Sequence, residues 1–76
     1  MNKSLNDKKY TAFISHLKAA REMQGISLRE LAAKLDEGNS VISKIETGAR
    51  RLTVQEFVQY CDALGLDPSD VVTLLK

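Results

Sequence analysis

Apolar residues along this chain recur at three- and four-residue spacings and never alternate in twos between turn signals. The pattern predicts helices and no strands. The first stretch sets Tyr10, Phe13, Ile14, Leu17 and Ala20 on one face of a helix over about residues 5–24. Ser4 and Asp7 fit a capping box at its start, and Gly25 is a good stop. Arg21 falls on the same apolar face, a charge where the pattern asks for a hydrocarbon.

Ser27-Leu28-Arg29-Glu30 fits a second capping box and opens a short helix to about Leu35, broken by Asp36-Glu37-Gly38. A third helix runs from Asn39 to about Thr47 and stops at Gly48. Thr53-Val54-Gln55-Glu56 is a third capping box, starting a helix through Leu64 with Gly65 as its stop. Its expected buried face is Val54, Phe57, Val58, Cys61 and Leu64. Asp67-Pro68-Ser69-Asp70 begins the last helix, with Pro68 at the first helical position, where its missing N–H costs nothing. The expectation is an all-α single domain over 1–76, in which residues 1–6 can serve as a flexible arm and 66–76 form a terminal helix.

The second and third helices lie closest together in sequence, separated by a three-residue turn. For two short helices to cross over so short a turn, the first must offer a small residue at the crossing, and Ala32 does so. Leu35, Ile42 and Ile45 fill the wedge between the pair and the first helix. This is helix-turn-helix spacing. Spacing alone leaves two readings open, a DNA-binding pair or ordinary neighbours in a helical bundle.

The residue identities go further. Gly25-Ile26-Ser27, then Arg29-Glu30-Leu31-Ala32, then Ser40-Val41-Ile42-Ser43-Lys44-Ile45-Glu46-Thr47-Gly48 resemble the Cro/phage-repressor (XRE) type of helix-turn-helix regulator. Arg51-Leu52-Thr53 through Ala63-Leu64-Gly65-Leu66-Asp67-Pro68 is similar to that family's fourth and fifth helices. The resemblance covers nearly everything after residue 10 and implies a compact five-helix lambda-repressor-like domain. Glu46 lies four residues after Ile42 and faces inward like Arg21, and the resemblance implies an ion pair between the two. The chain departs from the family in three places. Leu28 opens the second helix where Gln is frequent, Asp36 occupies the turn position usually held by Gly, and Gly38 stands where Ser or Thr commonly caps the third helix.

In a helix-turn-helix the second helix lies in the major groove with its N-terminal residues at base edges. Asn39, Ser40, Ser43 and Lys44 form one stripe opposite Ile42 and Ile45, and are the candidate base contacts. Asn suits adenine and Lys suits the guanine O6/N7 edge; the plainer alternative is a solvated polar face. Arg50 and Arg51 in the following loop, and Arg29 near the start of the second helix, are candidate phosphate contacts. The resemblance adds Thr47. Val71, Val72, Leu74 and Leu75 are more apolar surface than a terminal helix needs. The resemblance implies a dimer contact there, and the alternative is closure of the monomer's own core.

Composition and charge adjust this picture. A 76-residue chain buries only roughly 60% of its unfolded surface, so pairing with a second copy would relieve a marginal core. With 43% hydrophobic and 28% charged residues, it falls among soluble globular domains. The net charge of +1 hides a gradient: five Lys/Arg against two Asp/Glu over residues 1–26, five against four over 27–51, and one against four over 52–76. One end suits phosphate and the other does not. No apolar run is long enough to span a membrane and no signal peptide is evident, so a cytoplasmic protein is expected. Cys61 is the one cysteine, expected in the core, and His16 has no second His or Cys at ligand spacing, so neither metal nor cofactor is expected. No catalytic set or phosphate-binding Gly-rich loop is present. The reading is a stand-alone homodimeric repressor or autoregulator that binds a double-stranded DNA operator with inverted-repeat symmetry, and not an enzyme. The alternative is a protein-interaction module, such as an antitoxin whose partner binds the acidic C-terminal half.

Overall fold

The computed structural model describes residues 3–76, with side chains from Lys8 onward. Five α-helices follow one another: α1 (Lys3–Met23), α2 (Leu28–Lys34), α3 (Asn39–Glu46), α4 (Val54–Leu64) and α5 (Pro68–Val72), the last tightening into a 3₁₀ turn over Thr73–Leu75. No strand occurs among the described residues. Of the arm expected over 1–6, residues 1 and 2 lie outside the described residues, and the helix is already under way at Lys3. The capping box of Ser4 and Asp7 rests on side chains outside them too.

Local chemistry accounts for the other helix starts. Ser27 accepts the Glu30 amide while the Glu30 carboxylate accepts the Ser27 amide, and Thr53 and Glu56 do the same at α4. Each box satisfies two amides that the helix itself leaves unpaired. Asp67 caps α5 through the Ser69 amide, with Pro68 at the first position. Gly38 begins α3 without a side-chain cap.

The helix ends share one closing pattern. After α2, the Glu37 amide donates to Ala32 O at 2.9 Å and the Asp36 amide to Ala33 O at 3.2 Å. After α4, Leu66 and Gly65 repeat this toward Cys61 O and Asp62 O. Both are Schellman closures, which need a left-handed residue just past the helix. Gly65 adopts it at φ 68° without strain, whereas Asp36 adopts it at φ 54° with a Cβ in place.

The core is drawn from every helix: Phe13, Ile14 and Leu17 of α1, Leu31 and Ala32 of α2, Ile42 and Ile45 of α3, Tyr60, Cys61 and Leu64 of α4, and Val71 of α5. Ala32, the small residue expected at the crossing of α2 and α3, is buried. Phe13 and Phe57 meet with ring centroids 5.2 Å apart, joining α1 to α4. Cys61 is wholly buried, and burial pushes its thiol pKa up, away from the reactive thiolate. His16 is exposed.

Two expectations are corrected. Val54 is 82% and Val58 41% exposed, so the inward stripe of α4 is the partly buried Phe57 with the buried Tyr60, Cys61 and Leu64, at i, i+3, i+4 and i+7. Val54 opens the helix beyond the packed interior. Val71 is only 3% exposed; it closes the monomer's core and offers no side-chain surface to a second copy.

Candidate nucleic-acid interface

α3 presents two opposite faces. Ile42 and Ile45 are buried, while Asn39, Ser40, Ser43 and Lys44 are all exposed. Positions 39, 40, 43 and 44 are i, i+1, i+4 and i+5, which a helix gathers into one stripe. The three hydrogen-bonding side-chain types along it (an amide, two hydroxyls and an ammonium) can address base edges in a groove.

The orientation of α3 is set by a polar node at its last residue. Arg21 Nε lies 2.8 Å from Glu46 Oε2 and Arg21 Nη2 lies 2.9 Å from Oε1, a two-point pair. Nη1 donates to Ile26 O at 2.7 Å, tying the same guanidinium to the α1–α2 connection. Tyr60 of α4 donates its hydroxyl to Glu46 Oε2 at 2.7 Å. The side chains of Arg21 and Glu46 are 9% and 4% exposed. Hydrogen bonding to Glu46 raises the Arg21 pKa further above its ordinary value, outweighing the opposing effect of burial. The charge on the apolar face of α1 is thus one half of an ion pair, as the resemblance implied.

Tyr60 was missed from the sequence, although Phe57, Tyr60, Cys61 and Leu64 have ideal helical spacing. Taking Val54 as the start of the stripe left it off the face. Burial, then the hydrogen bond to Glu46, pushes its phenol pKa far above the ordinary value, so it stays a donor.

The expected phosphate contacts are placed unequally. Arg29 is exposed near the start of α2. The Thr47 hydroxyl donates to Lys44 O at the end of α3. Arg51 carries its guanidinium carbon 4.2 Å from the centre of the Tyr10 ring, a cation–π geometry. A polar recess of about 320 Å³ beside it is lined by Thr11, Ser15, Thr47, Gly48 and Arg51, among others. Arg50 turns away from this group and pairs with Glu56 through both terminal nitrogens. No signal in the sequence pointed to that pairing, because the loop between the two residues has no regular period.

Tyr10, Phe13, Phe57, Val58, Val72 and Leu75 contribute to an apolar groove of about 390 Å³, which shares Tyr10 with the polar recess. Val54 stands on its lining, and the exposed side chain of Leu74 follows Val72 on the terminal turn. No helix among the described residues is long and apolar enough to cross a membrane.

A family model described as Helix-turn-helix matches residues 17–71. Among solved structures, an XRE-family like protein from Pseudomonas syringae pv. tomato str. DC3000 is similar at a TM-score of 0.89 and 38% sequence identity. The match covers 96% of this chain and 89% of that one. No curated protein matches the chain.

Proposed function

Because the chain belongs to the XRE-type helix-turn-helix family of DNA-binding transcription regulators, we propose that it is a stand-alone homodimeric repressor or autoregulator of the cytoplasm that reads the major groove with α3. The carrying observation is the exposed stripe of Asn39, Ser40, Ser43 and Lys44 on a helix whose other face is buried and whose end is clamped. In this reading Asn39 and Lys44 supply most of the base discrimination, each bidentate contact contributing roughly 1–3 kcal/mol. Arg29, Thr47 and Arg51 hold the phosphates on either side. Arg50 joins them only by leaving Glu56.

The second copy docks on the groove face, through Val72, Leu74 and Leu75. The groove has almost no polar lining, which suits apolar side chains better than a small molecule needing fixed hydrogen bonds. Its lining residue Tyr10 follows Lys8 and Lys9, whereas Pro68 and Ser69 are flanked by Asp67 and Asp70. A two-fold arrangement can therefore set the basic end of one copy against the acidic end of the other. Recognition helices about 34 Å apart would then meet half-sites one DNA turn apart. The same face supports the second reading, an antitoxin-like module whose main partner is a protein.

The test is a fluorescence-anisotropy titration against a duplex recovered by selection from random DNA and against a scrambled duplex, at two salt concentrations. Preference for the selected duplex by about 10³-fold or more supports sequence-specific regulation. Equal, weak and salt-sensitive binding to both points to the protein-partner reading.

A further inference from the structure

The Glu46 carboxylate is held from two directions. Arg21 delivers two nearly parallel contacts from α1, and a planar fork of this kind leaves a hinge about the line joining its ends. Tyr60 adds a third contact from α4, at 2.7 Å to Oε2, and a donor on a separate helix removes that hinge. Tyr60 is 1% exposed, and burying a hydroxyl is costly unless it is hydrogen-bonded. Phenylalanine would fill the same space without that cost, so the hydroxyl is explained by what it holds.

We propose that Tyr60 is a positioning residue for DNA recognition, which sets the tilt of α3 by fixing the Glu46 carboxylate from α4. The inference rests on the DNA-reading role given above to the α3 stripe. Asn39 lies seven residues from Glu46, about 10 Å along the helix axis. A hinge of about 5° at Glu46 displaces Asn39 by about 1 Å, beyond the roughly 0.5 Å within which a recognition constellation must be held. Tyr60 therefore acts at a distance from the bases it helps to read.

The experiment compares Tyr60→Phe with the unaltered chain at a temperature where both are fully folded. The expected result is roughly tenfold weaker binding to the selected duplex, with unchanged affinity for random DNA and an unchanged salt slope. Residual dipolar couplings of the DNA-free proteins give a second readout, with the amides of 39–46 expected to reorient together relative to α1. Full affinity for the selected duplex overturns the proposal, as do unchanged couplings. If neither protein prefers any duplex, the regulator reading fails by itself and the couplings still decide whether Tyr60 orients α3. Should Tyr60→Phe not fold, the unaltered protein suffices. Its Tyr60 hydroxyl proton is expected to exchange slowly and to show cross-peaks to the Glu46 side chain, and rapid exchange with solvent overturns the clamp.

Discussion

Arg50 Nη2 lies 2.7 Å from Glu56 Oε2 and Arg50 Nη1 lies 3.1 Å from Oε1, so the loop after α3 is pinned to the first turn of α4. Glu56 already serves the α4 capping box, and the two roles together hold its carboxyl at about 2, the Arg50 hydrogen bonds first and the Thr53 amide second. A folded-state pKa below the ordinary value of 4.5 stabilises the fold fully above that pH, and the contribution disappears as pH falls toward 2. The pair is partly open to water, with side chains 38% and 25% exposed, so solvent screening keeps its contribution small. Urea unfolding of Arg50→Ala is expected to show a small deficit at pH 7 that shrinks below the ordinary carboxyl range and closes as pH falls through about 2. A deficit that is constant with pH would mean that the pair is not the source.

Arg21→Ala should be far more damaging. It leaves the Glu46 carboxylate buried beside a single remaining donor, Tyr60, and breaking a buried pair on one side costs roughly 3–5 kcal/mol. Thermal and urea unfolding are expected to show a loss in that range, and Arg21→Lys should recover only part of it because an ammonium cannot form the two-point fork. A melting temperature unchanged in Arg21→Ala would refute the clamp.

Asp36→Gly is expected to stabilise the fold by about 0.5–1 kcal/mol, since the left-handed position at φ 54° penalises a Cβ more than glycine's extra chain entropy costs. Asp36→Val should destabilise it. Measured by urea midpoints at constant m-value, the order Gly above Asp above Val is the expected outcome. Any order with Val above Asp contradicts it.

Among the proposed DNA contacts, Asn39→Ala and Lys44→Ala should each lower discrimination between the selected and scrambled duplexes by roughly 1–3 kcal/mol. Arg51→Ala should weaken both duplexes alike and reduce the log–log salt slope by about 0.9. The Arg50 guanidinium is engaged with Glu56, so Arg50→Ala is expected to leave most of the salt slope in place.

For the groove face, Leu75→Lys in the full chain is expected to shift sedimentation from dimer to monomer while leaving the helical spectrum intact, because Leu75 is exposed in the single copy. A monomer at all loadings in the unaltered protein would remove the dimer altogether.

What was legible from residue order is what depends on near neighbours. The pairs Ser27–Glu30 and Thr53–Glu56 announced two helix starts, because capping is a three-residue affair. Asp36 stood out only because the resembled family usually has Gly there, and its left-handed φ of 54° gives the reason for that preference. The stripe of α3 followed from period alone. Partners far apart in the chain were harder: Tyr60 and Glu46 are fourteen positions apart, and their contact depends on how α4 crosses α3. The Arg21–Glu46 pair was legible through the family resemblance, which gave a partner to each of two charges on apolar faces. Val54 shows the opposite limit, since periodicity names the face of a helix but not where its neighbours end.

The family match begins at residue 17, yet Tyr10 and Phe13 of the turns before it line the groove and Tyr10 seats Arg51. The same ring also accepts the Leu52 amide at 3.1 Å through its hydroxyl. One aromatic side chain therefore borders both the apolar groove and the arginine loop. In the proposed dimer, a change in how a second copy covers that groove would have a direct mechanical route through Tyr10 to the proposed phosphate contact at Arg51, so assembly and grip on DNA would share a hinge pin.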